Sequence, residues 1–241
     1  MDHASQLHLQ GLELLEAAQH AGLDAEVPSC PGWVVGKLVN HTSRALERTL
    51  LVVRGGLQGP PDKRDHRPLS RDGALFDQFR QILDETVEEL GAADPRGVCW
   101  NFSGTDLTNA FWSRRMVHEV TVHRWDAQLA AGDPRPIDPE SAVVGLDELV
   151  VTLLAPLARM TGTNLAASYH LHCTDVEGEW LVVFSDGEVV TTREHAKGDV
   201  AVRGPASPLF LWAWGRVVAG TEGLEACGDP DLVASWSTLG A

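Results

Sequence analysis

Basic residues are scarce in this chain: 19 Lys and Arg stand against 34 Asp and Glu, a formal net charge of −15. So acidic a surface repels phosphate backbones and anionic headgroups, which argues against nucleic acid or an anionic membrane surface as partner. Cysteine is equally sparse. Cys30, Cys99, Cys173 and Cys227 are widely scattered and form no Cys-x-x-Cys pair, so neither a thiolate zinc site nor a disulfide framework is indicated. No apolar run approaches the roughly 20 residues needed to span a bilayer. The N-terminal "MDHASQLHLQGLELLEAAQHAG" lacks the basic-then-apolar layout of a signal peptide. The expectation is a cytoplasmic protein with reduced thiols. Internal repeats and low-complexity segments are also missing.

What remains is a chain of 241 residues, 44% hydrophobic, long enough for one large domain or two small ones with a proper core. Helical periodicity dominates its first half. Leu7, Leu14, Leu15 and Ala18 share a stripe from His3 to Ala21. A second helix carries Val35, Leu38, Val39, Ala45, Leu46, Thr49 and Val53 until Gly55 and Gly56 stop it. A third places Leu75, Phe76, Phe79, Ile82, Leu83, Thr86, Val87 and Leu90 at helical spacing. Between them, "VPSCPGW" (27–33) reads as a turn and 58–70 as an exposed loop. With the stretch 111–132 there are four amphipathic helices, which suggests a bundle.

After "GDPRPIDPE", Asp138-Pro139 is a cap followed by a first-turn proline. The helix it starts is expected to end or kink at Pro156. The period then changes to two. "ASYHLHCTD", "EWLVVFS", "EVVTTREH" and "DVAVRG" read as strands joined by hairpin turns, before "SPLFLWAWGRVVAG" and "DPDLVASWSTL" return to helix. The expected organisation is a helical bundle over 1–135 and a smaller α+β domain over 136–241. From Ile137 onward there are 5 basic and 15 acidic residues, against 14 and 19 before it, so the net charges are −10 and −5. An anionic substrate would need a local arginine to attract it.

The chain is organised around "FWSRRMVHEVTVHRWDAQLAAG". At about 100° per residue, Glu119 and His123 lie one above the other on one helix face, an arrangement suited to two ligands of one metal ion. His118 and His123 are five apart, roughly 140° round the helix, and cannot share an ion without unwinding it. The face continues through Trp112, Met116, Ala127 and Ala130, so the pair points to an apolar interior, where an unpaired carboxylate would cost several kcal/mol. His41, between Leu38 and Ala45, can point into the same core. On periodicity alone, a helix-surface Glu–His hydrogen bond and, for His41, a satisfied core histidine are the commoner arrangements.

"VPSCPGWVVGKLVNHTSRAL" and "FWSRRMVHEVTVHRWDAQLAAG" together resemble the N-terminal domain of the mycothiol-dependent maleylpyruvate isomerase family, a branch of the DinB-like metal-binding bundles. "LHCTDVEGEWLVVFSDGEVV" and the segments after it resemble that family's sterol-carrier-like second domain. The resemblance implies a DinB-like four-helix bundle followed by a small α+β sterol-carrier-like domain, with a zinc ion held by His41, Glu119 and His123. Two imidazoles and a carboxylate suit zinc and leave a coordination position open, although other divalent ions fit the same set. In the family that position is thought to receive the thiol of mycothiol.

The implied activity is cis–trans isomerisation of a maleylpyruvate-type acid, or permanent thiol transfer. The implied partners are a low-molecular-weight thiol and a small acidic substrate. Asp126 is a candidate to orient an imidazole, and a surface ion pair serves its position as well. Arg216, the one charge in "LFLWAWGRVVAG", is the first candidate to anchor the substrate anion, ahead of Arg203 and Arg115. Trp33 and Trp112 are candidates for the pocket wall. His170 and His172 share a strand face but have no evident third ligand. A non-enzymatic carrier or sensor with a structural metal is the competing class, and a hydrolase using metal-bound water ranks below it.

Overall fold

The computed structural model describes residues 2–238, and the chain divides into two compact units, Met1–Arg135 and Pro136–Ala241. In the first, α1 (His3–Ala21), α2 (Val35–Gly55), α3 (Ala74–Ala92) and α4 (Asn109–Ala130) form the helical bundle. Asp2 caps α1 by accepting from the Ala4 amide, and Leu7, Leu14, Leu15 and Ala18 form its buried stripe. Gly56, at φ 53°, ends α2 in the left-handed conformation that glycine adopts without a Cβ clash. α3 buries Leu75, Phe79, Ile82, Leu83, Thr86 and Leu90, while Phe76 and Val87 stay half-exposed.

α4 differs from its neighbours in being buried nearly all round. Arg115, His118, Thr121, His123, Arg124, Asp126 and Gln128 all lie inside. A helix surrounded by protein on all sides must carry its own polar pairing, which is why its apolar periodicity is weak in the sequence.

The segment 58–70 is more than an exposed loop. It contains a 3₁₀ turn, Lys63–Asp65, and is tied to the bundle through Glu47, which is almost completely buried on α2. Glu47 accepts from the Arg67 amide (3.0 Å), Arg67 Nε (2.8 Å), His66 Nδ1 (2.8 Å) and Arg44 (2.8 Å). A buried carboxylate needs partners of this kind, and the loop supplies three of these four bonds.

In the second unit, Asp138 caps α5 (Pro139–Asp147) with Pro139 in its first turn. The chain stays helical beyond it, through a π-helical stretch (Glu148–Leu153) into α6 (Leu154–Thr161). Pro156 therefore does not end the helix. It falls in the first turn of α6, where its missing N–H is tolerated, and the wider π stretch before it absorbs the mismatch. The continuous helix Pro139–Thr161 has a mean hydropathy of 1.7 over its most apolar window, enough by length and composition to cross a membrane. The separate apolar runs are short, so this is a property only of the assembled helix. Half of that window is buried, with Leu146, Leu149, Val150, Leu153 and Leu154 in the core.

A five-stranded sheet follows, in the order β3-β2-β1-β4-β5. Its strands are β1 (Ala167–Cys173), β2 (Glu179–Ser185), β3 (Glu188–Thr192), β4 (Val200–Gly204) and β5 (Glu225–Gly228). β1 and β4 pair in parallel and the other pairs are antiparallel. Asp186 and Gly187 both have positive φ, 54° and 78°, the signature of a type I′ hairpin turn. The inner face of β1 buries Ala167, Tyr169, Leu171 and Cys173, and Tyr169 meets the Trp236 ring at 5.1 Å.

α7 (Ala206–Ala213) is shorter than expected, because the chain turns at Gly215 with φ 73°. Arg216 thus follows the helix and is not part of it. α8 (Pro230–Ser235) runs into a 3₁₀ turn at Trp236–Thr238; Leu239, the last residue expected in that helix, lies outside the described residues. α5 closes on α7 at Gly145, where an added Cβ would sit 2.6 Å from the Phe210 ring. Gly145→Ala should cost roughly 1–3 kcal/mol through overpacking, measured as a lowered midpoint in thermal denaturation.

Candidate metal centre

Three segments of the helical unit build the centre. α4 contributes Glu119 and His123 one turn apart, and α2 contributes His41. The 27–33 turn is closed by hydrogen bonds from the Val27 amide to the Trp33 carbonyl (3.0 Å) and from the Trp33 amide to the Cys30 carbonyl (2.9 Å). It brings Ser29, Cys30 and Trp33 against them. His41 Nε2 lies 3.1 Å from Glu119 Oε1, and His123 Nε2 lies 3.5 Å from the same oxygen. One ligand atom from each residue falls within 4.8 Å of the other two. Ligands about 2.0–2.2 Å from a tetrahedral ion lie about 3.3 Å apart, so both measured distances match the edge of such a site.

The protonation pattern points the same way. Asp126, wholly buried, accepts from His123 Nδ1 at 2.9 Å and from Ser29 Oγ at 2.6 Å, with Cys30 Sγ at 3.7 Å. An ionised carboxylate is an acceptor only, so Nδ1 carries the proton and the Nε2 lone pair is turned towards Glu119 Oε1. Two acceptors 3.5 Å apart need a cation between them, and a proton or a metal ion meets that need. Burial alone would lower the His123 pKa, but Asp126 and Glu119 raise it above the usual histidine value. Burial pushes the Glu119 carboxyl up; the Arg115 guanidinium beside it, with hydrogen bonds from His123 and His41, holds it well below the usual carboxylate range.

Arg115 donates to Glu119 Oε2, which leaves Oε1 facing the two imidazoles. Trp33 packs edge-on against His41 (5.2 Å between ring centroids) and stacks on His123 (6.4 Å), while Lys37 Nζ sits 4.6 Å over its ring. His41 is the open side, with its side chain 44% exposed.

The other expected residues have surroundings of their own. Trp112 is fully buried, donating to the Trp100 carbonyl at 2.8 Å and packing against Phe102 and Phe111. It is a core residue and presents no surface to a ligand. His118 is buried close to His3, and is not in the His41–Glu119–His123 group. Arg203 is paired with Glu225 at 2.8 Å. In the second unit, Arg216 donates to the Trp214 carbonyl at 2.5 Å.

Two features escaped the sequence reading. Arg48 lies seven residues after His41 on the same face of α2, near enough to Glu119 to feel its charge. Its Nε is buried without a hydrogen bond, and its guanidinium sits 6.0 Å from the Phe102 ring centre. Burial lowers its pKa. The spacing of seven was the signal available. The second feature is the third partner of His170 and His172, which is Glu179.

The chain is thus a helical bundle carrying a candidate His₂Glu donor set, followed by a small mixed-sheet unit. Two family descriptions match the chain: "Mycothiol maleylpyruvate isomerase N-terminal domain" over residues 4–128 and "MDMPI C-terminal domain" over 140–235. The chain belongs to the mycothiol-dependent maleylpyruvate isomerase family. Among solved structures it is similar to one described as "Crystal structure of the mycothiol-dependent maleylpyruvate isomerase". That similarity has a TM-score of 0.55 at 12% identity and covers 93% of this chain and 91% of that one. No curated protein matches significantly. The helical region followed by a small mixed-sheet domain is the fold of that structure.

Proposed function

We propose that this chain is a mycothiol-dependent isomerase of a maleylpyruvate-type diacid, with a divalent ion, zinc by its donor set, held by His41 Nε2, Glu119 Oε1 and His123 Nε2. The observation that carries this is the inward-turned His123 Nε2 facing Glu119 Oε1, with His41 beside them. When bound, such an ion supplies the positive charge that keeps a thiol ionised at neutral pH. A thiolate adding to a conjugated cis double bond makes it single, and its departure after rotation restores the bond as trans, with no net consumption of thiol.

The chain's own residues set the conditions for that exchange. Asp126 fixes the His123 tautomer, and Ser29 holds Asp126. Arg115 fixes the Glu119 carboxylate so that one oxygen faces the centre. Trp33 walls it beside His41 and His123. Beside Arg216, the anchor expected from the sequence, Arg48 is a second candidate for holding the substrate anion: its buried Nε has no hydrogen bond and its planar fork suits a carboxylate.

The test is turnover of maleylpyruvate-type acids with and without mycothiol. Turnover indifferent to thiol removes the cofactor, and thiol consumed in step with substrate makes the enzyme a transferase. Asp126→Asn should weaken metal binding about 10–100-fold, as loss of an orienting partner does, read by competition with a chromophoric chelator.

A further inference from the structure

The outer face of the second unit's sheet carries a cluster that the proposed function leaves unused. Strand residues two apart share a face, so His170 and His172 of β1 point to the same side, and the register sets Glu179 of β2 opposite His172. His170 Nε2 lies 2.8 Å from Glu179 Oε1, His172 Nδ1 lies 2.9 Å from it, and His195 Nδ1, on the segment after β3, lies 2.6 Å from the same oxygen.

Three ring nitrogens thus converge on one carboxylate oxygen. An oxygen offers two lone pairs, so it cannot accept well from three N–H donors at once. A cation resolves the surplus, since each imidazole then presents a lone pair inwards instead of a proton. Two imidazoles and a carboxylate form a borderline N/O donor set that suits zinc and neighbouring divalent ions. The ligand atoms of His170, His172 and Glu179 fall within 4.8 Å of one another. To admit an ion, the two imidazole–carboxylate distances need to open by about half an ångström, towards the 3.3 Å edge of a tetrahedral site.

Access is available. His172 is 40% exposed, and His172, Glu179 and His195 line an open cleft of about 680 Å³. We propose that His170, His172 and Glu179 form a second metal site, for a divalent transition ion of the zinc class, with His195 on its rim. Such an ion would pin β1 to β2 at the end where their hairpin closes.

The full-length protein, stripped with a chelator and titrated with Zn²⁺ against a chromophoric competitor, should bind two equivalents. His172→Ala and Glu179→Gln should each lose one, and His123→Ala should lose the other. In the His123→Ala background the remaining equivalent should disappear when His172→Ala is added. Failure of the bundle site would therefore leave this one visible. If His172→Ala and Glu179→Gln keep the unmodified stoichiometry, the site is overturned. A measurement needing no variant is modification of the unmutated protein by diethyl pyrocarbonate. Zn²⁺ should slow the reaction at His170 and His172, and equal rates with and without Zn²⁺ would also overturn the proposal.

Discussion

His123→Ala should lower mycothiol-dependent turnover by more than about a hundredfold and remove the metal equivalent proposed for the helical unit. Loss of a partner that merely orients a ligand costs about 10–100-fold in affinity or activity, and loss of the ligand itself exceeds that. His123 fills two places at once: its Nδ1 satisfies the wholly buried Asp126 at 2.9 Å, and its Nε2 faces Glu119. Alanine leaves Asp126 short of a donor and the Glu119–His41 pair without its third member. Metal analysis and steady-state kinetics on the purified variant check this together. A variant that keeps stoichiometric metal in the helical unit would show that His123 is not a ligand.

Glu47→Ala is the substitution with the largest expected effect on stability, about 3 kcal/mol or more. Hydrogen bonds to a charged group contribute about 1.5–3 kcal/mol each, and Glu47 accepts four. Removing it frees the 58–70 segment from α2 and leaves Arg44 and Arg67 without that carboxylate. For a unit of this size the apparent melting temperature should fall by on the order of 10 °C.

The pH dependence has a definite sign. Burial alone would raise the Glu47 pKa, but hydrogen bonds from Arg67, His66 and Arg44 hold it below the usual carboxylate value. A depressed folded pKa means that its contribution is present above the unfolded value, about 4.3, and is lost as pH falls through the folded one. The stability gap between the natural chain and Glu47→Gln should therefore be widest near neutral pH and close in acid. Denaturant midpoints measured at pH 7 and at several pH values below about 4 check both parts.

The elements legible in the sequence are those with one buried face. α3 shows its stripe because Leu75, Phe79, Ile82 and Leu83 point one way and charged residues the other. α4 was found through its Glu–His spacing and not its apolar period, since Arg115, Arg124 and Gln128 are as buried as Val120 and Ala127. β5 was missed because its four residues are all exposed and show no alternation of hydrophobic and polar positions. Of the two outcomes expected at Pro156, the helix does not end there, because a proline's effect depends on whether the chain has just begun a helix, and the π stretch before it was not visible in residue spacing.

Pairings set by distant chain segments were hardest to read. Glu179 meets His172 because of a strand register, and Glu47 gathers a loop some twenty residues away. Trp112 shares a helix with Glu119 and His123 but sits near its start, where the aromatic cluster claims it. Arg48 was overlooked beside an obvious histidine, although seven residues is two helical turns and sets both on one face.

Anomalous diffraction at the zinc edge, from crystals of the zinc-loaded full-length protein, tests the central claim most directly. A peak should stand about 2.0–2.2 Å from His41 Nε2, Glu119 Oε1 and His123 Nε2, with Asp126 still bound to His123 Nδ1. Zinc-loaded crystals with no peak among those three residues would contradict it.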